Sequence, residues 1–96
     1  MILSGYEIMA DKLVVQLQEQ IIELVTVAAG HNLREPLTAQ TAILESNLVD
    51  SFGLVQLIIE IEQKLSINIR TEDMTLENFS TVSAIVELVT RYKYKS

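Results

Sequence analysis

Residues 47–62 read NLVDSFGLVQLIIEIE and contain the strongest local structural signal in the chain. Asp50 is a residue type favoured at a helix N-cap, where its side chain accepts a hydrogen bond from a free backbone N–H group. The apolar residues that follow recur every three or four positions, which predicts a helix from about Ser51 to Leu65. The side chains expected to face inward are Leu54, Leu57, Ile58, Ile61 and Leu65.

Ser51 opens this predicted helix, so its hydroxyl lies at the positive end of the helix dipole. Free N–H groups and the dipole would both favour a phosphate attached there. Phe52, Val55 and Ile59 fall outside the inward stripe. They either meet a partner protein or pack against a second internal neighbour, and the pattern alone slightly favours the internal neighbour.

Two further helices are predicted on either side of this segment. The first spans about residues 11–29, and Gly30 follows it as a left-handed C-cap. Its expected inward stripe is Leu13, Leu17, Ile21, Leu24 and Ala28, widened by Val14, Ile22 and Val25. The last helix follows Thr81 as its N-cap, with apolar positions at Val82, Ile85, Val86, Leu88 and Val89.

The segments between the helices carry weaker signals. Residues 31–50 contain the only proline, Pro36, and predict a long loop held by four apolar residues. These are Leu37, Ile43, Leu44 and Leu48. Residues 66–70 alternate between polar and apolar types and predict an extended connector. The acidic residues 71–79 predict one short helical turn, anchored by Met74, Leu76 and Phe79. The predicted fold is all-α, a small four-helix bundle with three main helices, one short helix and a long first loop.

Length and composition narrow the function. The chain has 96 residues and a net charge of −6, which fits one domain and favours basic partner proteins over nucleic acid. We expect a single domain over residues 9–93, and we interpret residues 1–8 as an upstream or added extension because Met9 could be a natural start. Since we identify no secretory signal and no apolar run near the length of a membrane span, we predict no transmembrane segment and a cytoplasmic location.

Catalytic and metal sites receive little support. The chain lacks cysteine, and its one histidine, His31, has no partner for a usual zinc site. Glu72, Asp73 and Glu77 lack the spacing of a calcium loop and are interpreted as a solvated acidic face. Because Ser51 has no base near it in sequence, we predict no catalytic residue, no metal and no enzyme activity.

Nearly all of residues 11–92 resembles an acyl or peptidyl carrier protein. The resemblance rests on the order of the helices, on Asp50-Ser51 at the second helix, on the Ile67-Asn68-Ile69 connector and on Thr81-Val82. The run 48–57, LVDSFGLVQL, is similar to D-alanyl carrier proteins, whereas the run 72–79, EDMTLENF, looks more like freestanding carriers that accompany adenylate-forming ligases. Two residues depart from the usual motif: Phe52 replaces a leucine, and Gln56 stands where fatty-acid carriers have an acidic residue.

The resemblance implies a covalent 4′-phosphopantetheine arm, derived from coenzyme A, on Ser51 beside Asp50. The arm would hold an acyl or aminoacyl group as a thioester during biosynthesis. Implied partners are a phosphopantetheinyl transferase, an adenylate-forming acyl or aminoacyl ligase and downstream enzymes that transfer or modify the acyl group. We expect them to contact Phe52, Val55 and Ile59 and the charged Glu60 and Glu62. The alternatives are an unmodified helical interaction module and, with less support, a small serine hydrolase.

Overall fold

The computed structural model describes residues 5–94, with side chains from residue 12 to residue 93. Its helices are α1 (Gly5–Ala29), α2 (Ser51–Leu65) and α3 (Val82–Tyr94). Single 3₁₀ turns occur at Gly30–Asn32, Thr71–Asp73 and Glu77–Phe79. The all-α bundle with a long first loop is therefore confirmed.

Local end signals set the boundaries of the helices. Gly30 has φ +53° and ends α1 in the left-handed conformation, as predicted. Ala84 N donates to Thr81 Oγ1 at 3.0 Å, so Thr81 caps the start of α3. α1 begins at Gly5 and runs through Met9 without a break. The proposed extension over residues 1–8 stays a prediction, and its residues 1–4 lie outside the described part of the chain.

The core lies between α1 and the two later helices, α2 and α3, both of which pack against α1. From α1 the buried side chains are Leu17, Ile21, Val25 and Ala29. Leu17 and Ile21 of the predicted stripe are buried, and so is Val25, which was predicted to widen it. Leu24 and Ala28 are only partly buried where they pack against the core, so towards its C-terminal end the buried line lies one residue further along than predicted. α1 is apolar on more than one side, so its spacing does not select which side faces the core.

The stretch Lys12–Asn32 is apolar enough and long enough to span a membrane by those two criteria alone. The sequence prediction that no apolar run reaches this length was therefore wrong. The same stretch supplies the four buried α1 residues of the core. A core helix of a globular bundle passes the same test, and α1 packs against both α2 and α3.

The connector and the acidic segment differ in how they are anchored. Ile67 and Ile69 are buried, as the alternation predicts for an extended connector. Phe79 is fully buried, but Met74 and Leu76 are 40% and 72% exposed, so the prediction that they anchor the segment was wrong. The segment forms two separate 3₁₀ turns instead of one helical turn, with Asn78 Nδ2 donating to the Asp73 carbonyl across them.

Contacts at one end of the bundle join the ends of α2 and α3. Lys93 Nζ donates to the Leu65 carbonyl at 2.9 Å. A cavity of about 210 Å³ beside them is also lined by Leu13 and Gln16 of α1. Leu13 and Gln16 of α1 therefore lie beside the ends of α2 and α3, whereas the start of α2 lies at the other end of that helix, next to the long loop.

Candidate functional site

The start of α2 is held by Asp50. Asp50 has extended backbone angles, φ −86° and ψ −177°, and its Oδ1 accepts a hydrogen bond from Gly53 N at 2.7 Å. Its carbonyl accepts the first hydrogen bond of the helix, from Leu54 N at 2.8 Å. The N-cap assignment from sequence is confirmed. The N–H groups of Ser51 and Phe52 precede that first bond, so they have no place in the helical ladder.

Ser51 is the first residue of α2 and its side chain is exposed. The hydroxyl therefore lies at the positive end of the helix dipole and is open to an approaching enzyme. The free N–H groups beside it suit a phosphate oxygen. The residues at the start of α2 thus fit a phosphate ester on this hydroxyl.

Backbone hydrogen bonds hold the last part of the loop before α2, residues 43–49. Ile43 is fully buried, and its N–H donates to the Ser80 carbonyl at 2.8 Å. The Ile43 carbonyl in turn accepts from Leu48 N at 3.1 Å and Val49 N at 3.3 Å. Because these bonds connect the loop to the residues just before α3, they determine where Ser51 enters α2 relative to the bundle.

Val49 reinforces this arrangement from inside the core. It is only 3% exposed, although sequence reasoning did not assign it a role. Its position directly before the N-cap was the available signal, since an apolar residue there often fixes the angle at which the chain enters a helix.

An exposed apolar stripe follows Ser51 along α2. Phe52 is 73% exposed, Val55 is 54% exposed and Ile59 is 41% exposed. Their spacing of three and four residues places them on one face of the helix. The alternative that they pack against a second internal neighbour is therefore wrong. This α2 apolar stripe (Phe52, Val55 and Ile59) is available to another molecule.

The two carboxylates predicted to flank this stripe have different environments. Glu60 is exposed on α2. Glu62 is only half-exposed, and its Oε2 accepts a hydrogen bond from Ile69 N at 2.9 Å. The charged group of Glu62, which the sequence analysis assigns to partner contact, is therefore partly occupied in linking the connector to α2.

Two other kinds of site were weighed from the sequence, a metal site and a serine nucleophile with His31 as its base. Across the described residues, no group of three His, Asp or Glu side chains is arranged to hold a metal ion. His31 is exposed in the 3₁₀ turn after α1, and no hydrogen bond joins it to Ser51 in that part of the chain. Within the described residues, His31 therefore does not serve Ser51 as a general base.

Comparisons with known proteins agree with this geometry. Residues 19–89 match the family model described as "Phosphopantetheine attachment site". The chain is 30% identical over 74 residues to the D-alanyl carrier protein of Staphylococcus xylosus, covering 77% of this chain and 94% of that protein. It is 29% identical over 77 residues to the probable acyl carrier protein PigG of Serratia sp. (strain ATCC 39006), covering 80% and 88%. No solved structure matches at a comparable level of significance.

The family match includes all of α2 and most of the bundle. Members of this family carry 4′-phosphopantetheine covalently, and they interact with phosphopantetheinyl transferases and biosynthetic enzymes without catalysing a reaction themselves. This chain, a carrier and not an enzyme, belongs to the phosphopantetheine-binding family of carrier proteins.

Proposed function

We propose that Ser51 carries the phosphopantetheine arm and that the protein presents an acyl or aminoacyl group as a thioester to partner enzymes. The observation that supports this most directly is the exposed Ser51 hydroxyl at the start of a helix that is capped by Asp50. The arm supplies the thiol, which the chain lacks because it contains no cysteine. What the chain contributes is the position of the attachment point and a surface that partners recognise.

Loading would follow the chemistry of a phosphoryl ester transfer from coenzyme A. The Ser51 oxygen forms a bond to the phosphorus that bears pantetheine. The bond from that phosphorus to the bridging oxygen breaks, and adenosine 3′,5′-bisphosphate leaves with the electron pair. The hydroxyl proton passes to a base of the transferase.

Intact-mass analysis tests this assignment. The purified protein is incubated with coenzyme A and a broad-specificity phosphopantetheinyl transferase, and Ser51→Ala is treated in parallel. We expect the wild type to gain the mass of one phosphopantetheine group and Ser51→Ala to gain none. Ser46→Ala is a matched control, because its hydroxyl is also exposed but lies in the loop.

Two results would contradict the proposal. Modification that persists in Ser51→Ala and maps to Ser46, Ser66 or Ser80 would place the arm elsewhere. A wild-type protein that stays unmodified under conditions that load a control carrier would favour the unmodified interaction module. Lys64 lies between Ser51 and Ser66, and Arg70 lies between Ser66 and Ser80, so tryptic peptide mapping separates these two sites from Ser51.

We further propose that an adenylate-forming acyl or aminoacyl ligase loads the arm in the cytoplasm and that downstream enzymes take up the cargo. The α2 apolar stripe and Glu60 support a partner with an apolar groove and a basic rim. A carrier must release each partner, so these encounters are expected to be small and transient. The D-alanyl carrier relative and the probable acyl carrier relative favour different cargoes.

A further inference from the structure

The helical glycine two residues after Ser51 occupies a tight site, in which a side chain would displace its neighbours. A Cβ built on Gly53 would lie 3.1 Å from Val49 Cγ1 and 3.2 Å from Asp50 Oδ1. Both distances are shorter than ordinary van der Waals contact, so a neighbour would have to move. The two neighbours are the residues directly before Ser51.

Neither neighbour can move freely. Val49 is buried in the core and its N–H is bonded to Ile43, so its methyl group is held in place. Asp50 Oδ1 is bonded to the N–H of Gly53 itself at 2.7 Å. A methyl group at position 53 would therefore push against the N-cap and against the residue that anchors the loop.

The backbone at Gly53 does not itself demand glycine. Among the described glycines only Gly30 has a positive φ, whereas Gly53 lies within α2. Alanine forms helix more readily than glycine, so helix propensity alone would favour alanine at position 53. The close approach of Val49 and Asp50 is what opposes it.

We infer that Gly53 is a positioning residue for transfer of the arm: its missing side chain lets Val49 and Asp50 set the orientation of Ser51. This inference rests on the proposed attachment at Ser51. A side chain at position 53 would displace Val49 and Asp50, and with them the start of α2, by a few tenths of an ångström. The Ser51 oxygen would then meet the phosphorus of coenzyme A at a less productive angle.

The test measures loading kinetics of Gly53→Ala with a phosphopantetheinyl transferase and coenzyme A, expressed per folded molecule. Because misplacement of a reacting group slows the chemical step, we expect kcat to fall by about tenfold to a hundredfold. The KM for the carrier should change by less than about twofold, since the partner-facing surface of α2 is retained.

Gly30→Ala is the matched control. A Cβ at Gly30 meets nothing within 4 Å, but φ +53° is strained for alanine. We expect Gly30→Ala to lower the melting temperature and to leave loading of the folded protein unchanged. A general loss of stability and a specific loss of positioning are thereby separated.

A second experiment removes the close contact between position 53 and the Val49 side chain. Adding Gly53→Ala to Val49→Ala should lower kcat less than Gly53→Ala does alone, because the contact at 3.1 Å has gone and only the contact with Asp50 Oδ1 at 3.2 Å remains. A folded Gly53→Ala with wild-type kcat, or a loss that Val49→Ala does not relieve, would overturn the inference. If Gly53→Ala does not fold, the double variant must fold, and failure of both to fold would also overturn it. Failure of the wild type to load at Ser51 would instead reject the proposed function.

Discussion

The two phenylalanines of this chain lie in opposite environments, and this contrast separates recognition from stability. Phe52 is 73% exposed beside Ser51, whereas Phe79 is fully buried before α3. Truncating a buried phenylalanine typically costs about 3–5 kcal/mol, while a substitution on the surface usually changes stability by about 0.5 kcal/mol or less.

We therefore expect Phe52→Ala to keep a near-normal melting temperature and to slow transfer from the cognate ligase or transferase. Phe79→Ala, the matched control, should lower the melting temperature strongly. Thermal unfolding followed by circular dichroism and a loading assay on folded protein measure the two effects. A large fall in the melting temperature of Phe52→Ala, with unchanged transfer, would show that the ring stabilises the fold and does not contact partners.

The sequence predicts the environment of a residue where that environment depends on neighbours a few positions away in the chain. Asp50 is an N-cap because its carboxylate bonds to a backbone group three residues away. The tight site at Gly53 depends on where the buried Val49 side chain points, which the sequence pattern does not encode. Replacing Gly53 by alanine would gain roughly 1 kcal/mol of helix propensity and strain a cap of similar value, so its effect on stability is expected to be small.

At the scale of secondary structure, α2 shows how far local signals reach. Its observed bounds, Ser51–Leu65, match the prediction because a cap signal and a regular apolar stripe coincide. The apolar residues of α1 are spread over more than one face, so the prediction was right for Leu17 and Ile21 but placed Leu24 and Ala28 in the core ahead of Val25 and Ala29. Sequence also did not reveal the bond from Glu62 to Ile69, since its partner lies seven residues further along the chain.

The environments of Glu60 and Glu62 give a prediction about the electrostatics of α2. Glu60→Lys should leave the fold intact and weaken encounter with a basic partner, because only an exposed carboxylate is reversed. The loss should shrink as salt rises, since screening weakens interactions between exposed charges. Loading rates measured at low and high ionic strength test this expectation.

Glu62→Lys is the contrasting variant. It removes the acceptor of the Ile69 N–H, and an unsatisfied, partly buried N–H group costs about 1–3 kcal/mol. We expect a lower melting temperature for Glu62→Lys and a near-normal one for Glu62→Gln, whose amide oxygen still accepts. If Glu60→Lys loads at the wild-type rate at low salt, Glu60 is not part of an electrostatic docking face.

At the scale of the whole molecule, hydrogen bonds between residues distant in the sequence connect the loop, the connector and the helices. The loop is tied to the start of α3 through Ile43 and Ser80. At the opposite end, Lys93 bonds to the end of α2, and Tyr92 bonds to the connector. The sequence predicted the helices but not these ties, because each depends on residues that are distant along the chain.

Tyr92 leads to a prediction about stability at high pH. Its hydroxyl accepts from Arg70 N at 2.9 Å and donates to the carboxylate of Asp73. Partial burial, together with the hydrogen bond to Asp73, raises the pKa of Tyr92 above its ordinary value of 10.0. The folded state thus holds the phenolic proton more tightly than the unfolded state does.

The sign of the effect follows from this difference. Stabilisation by Tyr92 is fully present below pH 10.0 and is lost as the pH rises from there through the higher pKa of the folded state, because the unfolded chain then binds fewer protons. We expect the free energy of unfolding of the wild type to decline over that window more steeply than that of Tyr92→Phe, which cannot titrate there. Urea unfolding of both proteins from pH 8 to pH 11 measures the difference. Because other tyrosines and lysines titrate equally in both proteins, parallel curves would show that the bonds from α3 to the connector do not depend on the phenolic proton.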